Sequence, residues 1–205
     1  MLQRIRGISL LNLMGGAILL VCTLLVPGDA KAQDDKMEEK YTAFGVAMGP
    51  GISGVLNITI NRWTTPDQRA ALINTLLESG QEKTVELLRD QEETGWVRTQ
   101  GGRGMGGMTR ATLHYAYQFE NEGKRTVVLV TDRTMRFGEV SRSTRSSDYD
   151  ISAIVMDFTK EGDEVKGQGV FYFAIQFKYD KEKNTLEVEH YGTDPIRLTN
   201  IKRDE

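Results

Sequence analysis

The sequence predicts an α+β domain that is mainly antiparallel β. A strongly bent sheet is expected to close as a sandwich or barrel, with a helical hairpin inserted at about residues 65–92, after the second strand. Three observations predict this. Runs with period-two alternation, rich in β-branched and aromatic residues, recur from Tyr41 to the C-terminal region. One stretch between them switches to helical spacing with cap signals at its start. The turns between successive strands are short, which suits antiparallel connections. At least seven such strands, each with one apolar face, must cover that face by stacking or closing.

The chain begins MLQRIRGISLLNLMGGAILLVCTLLVPGDAKAQ. Arg4 and Arg6 are followed by an apolar stretch from about Ile8 to Val26, then Pro27-Gly28 and the small-x-small site Ala30-Lys31-Ala32. This is the layout of a secretory signal peptide cleaved after Ala32. Its alternative is an N-terminal membrane anchor, because the apolar run is long enough to reach across a bilayer. After cleavage no membrane-spanning segment is expected. Val21 precedes Cys22 where a lipoprotein signal favours Gly, Ala or Ser. Cys22 is the only cysteine, so residues 33–205 hold no thiol. That excludes cysteine nucleophiles, disulfides and cysteine zinc sites from them. Those residues suit a single domain with a core of its own.

Residues 33–40, ending in DDKMEEK, read as a flexible polar lead, with the domain running from 41 to 205. YTAFGVAMG and SGVLNITINRW are the first two strands, separated by a turn at GPGIS. In the second, Leu56, Ile58 and Ile60 share one face. Thr65-Pro66-Asp67-Gln68 then opens a helix: Thr65 caps, Pro66 suits the first helical position and Gln68 completes a capping box. Ala70, Ile73, Leu76 and Leu77 follow at helical spacing. Gly80 supplies the left-handed turn that ends this helix, and Ser79 with Glu82 caps a second one carrying Val85, Leu87 and Leu88.

Strand character then returns. GWVRT is short, and RATLHYAYQFEN places Leu113, Tyr115, Tyr117 and Phe119 on one face with His114 opposite. RTVVLVTDR reads as a buried strand. DYDISAIVMDFTKEG and EVKGQGVFYFAIQFKYDKEKN form a long antiparallel pair, and TLEVEHYG and PIRLTNIKR follow.

Gly102-x-Gly104-x-x-Gly107 matches the dinucleotide-binding fingerprint in letters. That motif needs a helix after it, whose N-terminus receives the pyrophosphate. Here ATLHYAYQF follows, with strand periodicity, so the run reads as a flexible connection between strands, or as a lid, and no cofactor is expected. No Gly-x-Ser-x-Gly elbow occurs, and the two histidines, His114 and His190, read as half-exposed strand residues. No metal site is expected. Asp132, Asp148, Asp150 and Asp157 lie at or near strand ends, where a carboxylate pair for glycoside-type hydrolysis could be built.

Full-length net charge is −3 and residues 33–205 carry −5. Yet residues 98–145 hold eight arginines and Lys124 against four acids, a local +5. An acidic chain argues against nucleic acid as a partner. The local excess points instead to an anionic envelope component or a small anionic ligand. Arg133, Arg136, Arg142 and Arg145 are the candidate anion-binding residues, since guanidinium forks suit phosphate and carboxylate. The competing account pairs them internally with acids such as Glu82, Glu86, Glu92 and Glu93.

GWVRT, RTVVLVTDR, the Arg/Ser segment leading into SDYDISAIVMDF, and YGTDPIRLTNIKR together resemble a group of uncharacterised secreted bacterial proteins over most of residues 41–203. The resemblance implies an exported bacterial domain of unknown function and carries no activity, cofactor or site residue with it. The expected function is therefore a non-catalytic module binding a ligand or partner in the mouth of its sheet, periplasmic or extracellular. The alternative is a carboxylate-dependent hydrolase acting on cell-envelope material, with His190 as an aid.

Overall fold

The computed structural model describes residues 38–46, 53–100, 109–121, 123–132, 151–162, 164–180, 185–190 and 195–204. The elements are β1 (Glu39–Val46), β2 (Ser53–Ile60), α1 (Pro66–Asp90), β3 (Gly95–Gln100), β4 (Thr109–Leu113) and β5 (Tyr115–Asn121). They continue with β6 (Lys124–Thr131), β7 (Ile151–Glu161), β8 (Glu164–Asp180), β9 (Thr185–His190) and β10 (Ile196–Asp204). Glu39 and Lys40, read from the sequence as the end of a polar lead, are the first residues of β1.

Every strand pairing is antiparallel, and the strands form a single sheet in the order β4-β3-β2-β1-β10-β8-β7-β6-β5, with β9 paired to β8. The two strands at the ends of that path, β4 and β5, are consecutive in the chain with His114 alone between them. One bent segment therefore serves both edges. The His114 N–H donates to the Val130 carbonyl at 3.0 Å, while the Thr94 N–H donates to the Leu113 carbonyl at 2.8 Å. The result is a nearly closed, barrel-like meander with one helix. Such near-closure leaves fewer exposed edges of the kind that invite edge-to-edge association.

The bend also shifts the side-chain phase. Leu113 is buried inside the barrel, and so is Ala116 three residues later. Tyr115, Tyr117 and Phe119 stand on the outer face, their rings 6.3 Å apart in succession. Leu113 thus does not share a face with these aromatics, because alternation restarts at His114.

The interior is filled by side chains. Leu56, Ile58 and Ile60 from β2, Val97 from β3, Leu129 from β6, Ile154 and Met156 from β7, Phe171 from β8 and Leu198 from β10 all belong to one buried cluster. Barrels of about eight strands have an interior just wide enough for side chains to fill. Close strand approach is enforced at Gly95, where a Cβ would fall 2.0 Å from the Thr59 carbonyl oxygen.

A second cluster lies outside the barrel wall. Leu72, Val85 and Leu88 of α1 pack on Val130, Ile151, Ala153, Tyr172 and Ile175, so the helix covers the outer face of β6, β7 and β8. The cap is as the sequence dictates: Thr65 and Gln68 form a reciprocal capping box with Pro66 beside it. The expected pair of helices over 65–92 is here one helical element, Pro66–Asp90, interrupted at Gly80, which sits at φ 80° and ψ −176°. Just past the break, the Gln81 side-chain amide donates to the Ile175 carbonyl at 3.3 Å and accepts from the Phe177 N–H at 2.6 Å. It continues the edge of β8 beyond the point where β7 stops pairing at Ile151.

Candidate functional site

Antiparallel order gives the barrel two ends of different chemistry. At the first meet the start of β1, the start of β6 and the end of β10. Here the inward position of β1 is Glu39, and that of β6 is Arg125. Glu39 is only 3 % exposed. Arg125 reaches it at 2.8 Å, donates to the Tyr41 hydroxyl at 3.1 Å and donates through Nε to Gln118 at 2.6 Å. Tyr41 donates its hydroxyl proton to Glu39, and Arg203 approaches the other carboxylate oxygen at 3.4 Å. The Arg125 guanidinium also lies 5.8 Å from the ring centres of both Trp63 and Phe158.

This network is a satisfied polar plug. Burial raises the Tyr41 pKa well above the usual phenol range, and the hydrogen bond to Glu39 adds to it. Burial disfavours the Arg125 cation, but its bonds to Glu39 and Tyr41 outweigh that, so its pKa moves upward. Glu39 is thereby buried with both carboxylate oxygens partnered.

The opposite end is bounded by the last residues of β1, β3 and β6 and the first of β2, β4 and β7. Its inward positions carry hydroxyls. Thr99 follows Val97 on the inner face, Thr131 follows Val127 and Leu129, and Ser152 pairs with Thr131 across β6 and β7. All three are buried. The Thr131 Oγ1 has no hydrogen-bond partner among the described residues.

A third polar group sits where α1 meets the bend. His114 Nδ1 is 3.2 Å from the Gln91 carbonyl, and its Nε2 is 3.7 Å from Asp132 Oδ1. Arg89 approaches the other Asp132 oxygen at 3.3 Å. Asp157 lies elsewhere, on the outer face, accepting from Thr126 at 2.7 Å and from Lys124 at 3.2 Å. Of the acids singled out from the sequence, Asp132 and Asp157 are therefore on different polar clusters.

Arg133, Arg136, Arg142, Arg145, Asp148 and Asp150 fall outside the described residues, as does the glycine run 101–107. His190 is the last residue of β9, in register with Ile175. Among the acids proposed as their partners, Glu86 pairs with Lys83 and Glu92 with Arg62. Sequence reasoning missed Glu39, Tyr41 and Arg125. Their only local signal is a charge at an apolar-phase position: Arg125 precedes Val127 by two residues, as Glu39 precedes Tyr41.

Among the described residues, no group of three His, Cys, Asp or Glu side chains could hold a metal ion, and no helix is long and apolar enough to cross a membrane. No protein-family model, no curated protein and no solved structure matches the chain.

Proposed function

We propose that the protein is an exported, non-catalytic binding module that takes its ligand in the barrel mouth marked by Thr99, Thr131 and Ser152. The observation that carries this reading is the Thr131 hydroxyl, which is buried at 2 % exposure and has no partner among the described residues. Leaving a buried donor and acceptor unmade costs about 1–3 kcal/mol, and a ligand polar group offsets that cost. The Glu39–Arg125 plug at the far end supports entry from the mouth alone. The local +5 balance of residues 98–145 supports an anionic ligand, with Arg133, Arg136, Arg142 and Arg145 as its contacts in the segment joining β6 to β7. Export, with cleavage after Ala32, is supported by the basic start, apolar run and small-x-small site.

The hydrolase reading has weaker support. Asp132 and Asp157 are each engaged by a cation, on separate clusters, whereas acid–base catalysis across a glycosidic bond uses two carboxyls facing one substrate.

We also read the arms of α1 on either side of Gly80 as a helical hairpin. Arg62 supports it: it donates to Gln68 in the first turn at 3.3 Å and to the carbonyls of Glu92 and Glu93, just past the last turn, at 2.7 and 3.2 Å. A straight helix of this length would hold its ends roughly 35 Å apart.

The decisive experiment is native mass spectrometry of the exported protein recovered from its host, with Thr131→Val alongside. A bound small molecule that is lost in the variant supports the mouth site. A ligand-free wild type that also fails to bind any compound in a metabolite and glycan screen refutes it.

A further inference from the structure

We propose that Arg98, Arg110 and Trp96 form a phosphate-binding site on the outer face of β3 and β4, separate from the barrel mouth and independent of any ligand there. Arg98 and Arg110 are direct cross-strand partners. Their guanidinium carbons lie 5.5 and 5.3 Å from the Trp96 ring centre. Among the described residues, these contacts with the indole are the only interactions either guanidinium makes, and no carboxylate engages them. Like charges directly opposite on a ladder are destabilising, so the pair calls for an anion between its members.

The described neighbouring positions do not supply that anion. Across from Arg98 on β2 is Asn57, whose side-chain oxygen accepts from Thr42 at 3.4 Å. Thr42 in turn meets Asp204 at 3.1 Å. That carboxylate is on β10, three strands from Arg98, which at ordinary strand spacing is roughly 14 Å. The helix packs on the outer face of β6–β8, away from this surface.

The donor set selects the chemistry. One carboxylate is filled by a single bidentate fork, whereas two forks presented together need an acceptor with more oxygens. A phosphate group provides them, and the indole face holds both guanidiniums in place through cation–π attraction. The phosphate belongs either to a soluble phosphorylated molecule or to a lipid headgroup.

Trp96 reports on its own site. The chain has two tryptophans, and the other, Trp63, is fully buried within the barrel core. Titrating the exported protein with inorganic pyrophosphate should give a saturable change in tryptophan emission that weakens as sodium chloride is raised. Each of Arg98→Gln and Arg110→Gln should weaken the apparent affinity roughly tenfold, the scale of one charge-assisted hydrogen bond. Arg98→Lys, which keeps charge but loses the fork, should fall between. If either glutamine variant fails to fold, the other and Arg98→Lys carry the test. Vesicles of phosphatidylcholine with and without phosphatidylglycerol separate the sources. A pyrophosphate response without vesicle association identifies a soluble ligand, and phosphatidylglycerol-dependent association lost in the arginine variants identifies a headgroup. Neither response, or a response the arginine variants leave unchanged, overturns the site. Thr131→Val should leave the emission titration untouched, so this proposal and the mouth site fail separately.

Discussion

Thr64 and Ala116 exchange two hydrogen bonds: the Thr64 N–H donates to the Ala116 carbonyl at 2.8 Å, and the Ala116 N–H donates to the Thr64 hydroxyl at 2.9 Å. A side chain thereby stands in for a strand residue on the edge of β5 that β6 does not occupy. Because both residues are buried, Thr64→Val should destabilise the fold by about 1–3 kcal/mol by stranding the Ala116 N–H. Thr64→Ser should keep most of the stability. Urea unfolding of the three proteins checks this.

The plug should show the asymmetry of buried ion pairs. Arg125→Met alone leaves Glu39 buried beside Tyr41, with the half-exposed Arg203 as its remaining cation. It should cost about 3 kcal/mol. Glu39→Gln combined with Arg125→Met should cost less than Arg125→Met alone, since no carboxylate is then stranded. A double-mutant cycle in denaturant measures the coupling.

Stability should fall at alkaline pH through Tyr41. Its folded-state pKa is raised, chiefly by burial. The folded protein therefore holds this proton after the unfolded chain has begun to release it. The contribution is complete below the ordinary phenol value of about 10 and is lost progressively as pH rises above it. Tyr41→Phe should flatten that part of the pH–stability curve, while ultraviolet titration of the wild type shows one tyrosine ionising later than the rest.

Two glycines should respond differently to alanine. At Gly80 an added Cβ meets nothing within 4 Å, so Gly80→Ala should cost about 1–3 kcal/mol, from the backbone conformation alone. Gly95→Ala drives a Cβ into the Thr59 carbonyl and should prevent folding. Thermal melts distinguish them. Spin labels at positions 67 and 90 should also lie far closer than the roughly 35 Å of a straight helix if α1 doubles back at Gly80.

The mouth hydroxyl has a signed consequence of its own. Thr131→Val replaces a buried hydroxyl that has no partner among the described residues with a methyl of similar shape. It should raise the melting temperature of the ligand-free protein, by about 1 kcal/mol in stability, while weakening ligand binding. A substitution that stabilises the empty protein and weakens its loaded form separates a binding role from a packing role.

The strands and the helix start were legible because their causes are local. Leu56, Ile58 and Ile60 announce an inner face by spacing alone, and Thr65 to Gln68 announce a cap by residue type. The phase change at His114 was not legible, since Leu113, Tyr115, Tyr117 and Phe119 alternate without interruption in the sequence. The bend comes from two partners, Thr94 and Val130, on opposite sides of it. The plug was hidden for a similar reason. Glu39 lies in a polar run, and what buries it are Arg125 and Arg203, brought in by strands from far along the chain. Arg98 and Arg110 flank the glycine run in sequence, but their opposition depends on the β3–β4 register.

The pairing of β1 with β10, with Lys40 opposite Asp204, sets the order in which this molecule becomes whole. During synthesis β1 emerges before β10 and waits for it, while the intervening strands can add to one another in sequence. Among the described residues this seam joins the strands furthest apart in sequence, and it bears the largest loop-closure cost. Until β10 docks, β1 presents an unpaired edge that is open to pairing with neighbouring chains. A chain truncated before β10 would stay in that open condition permanently.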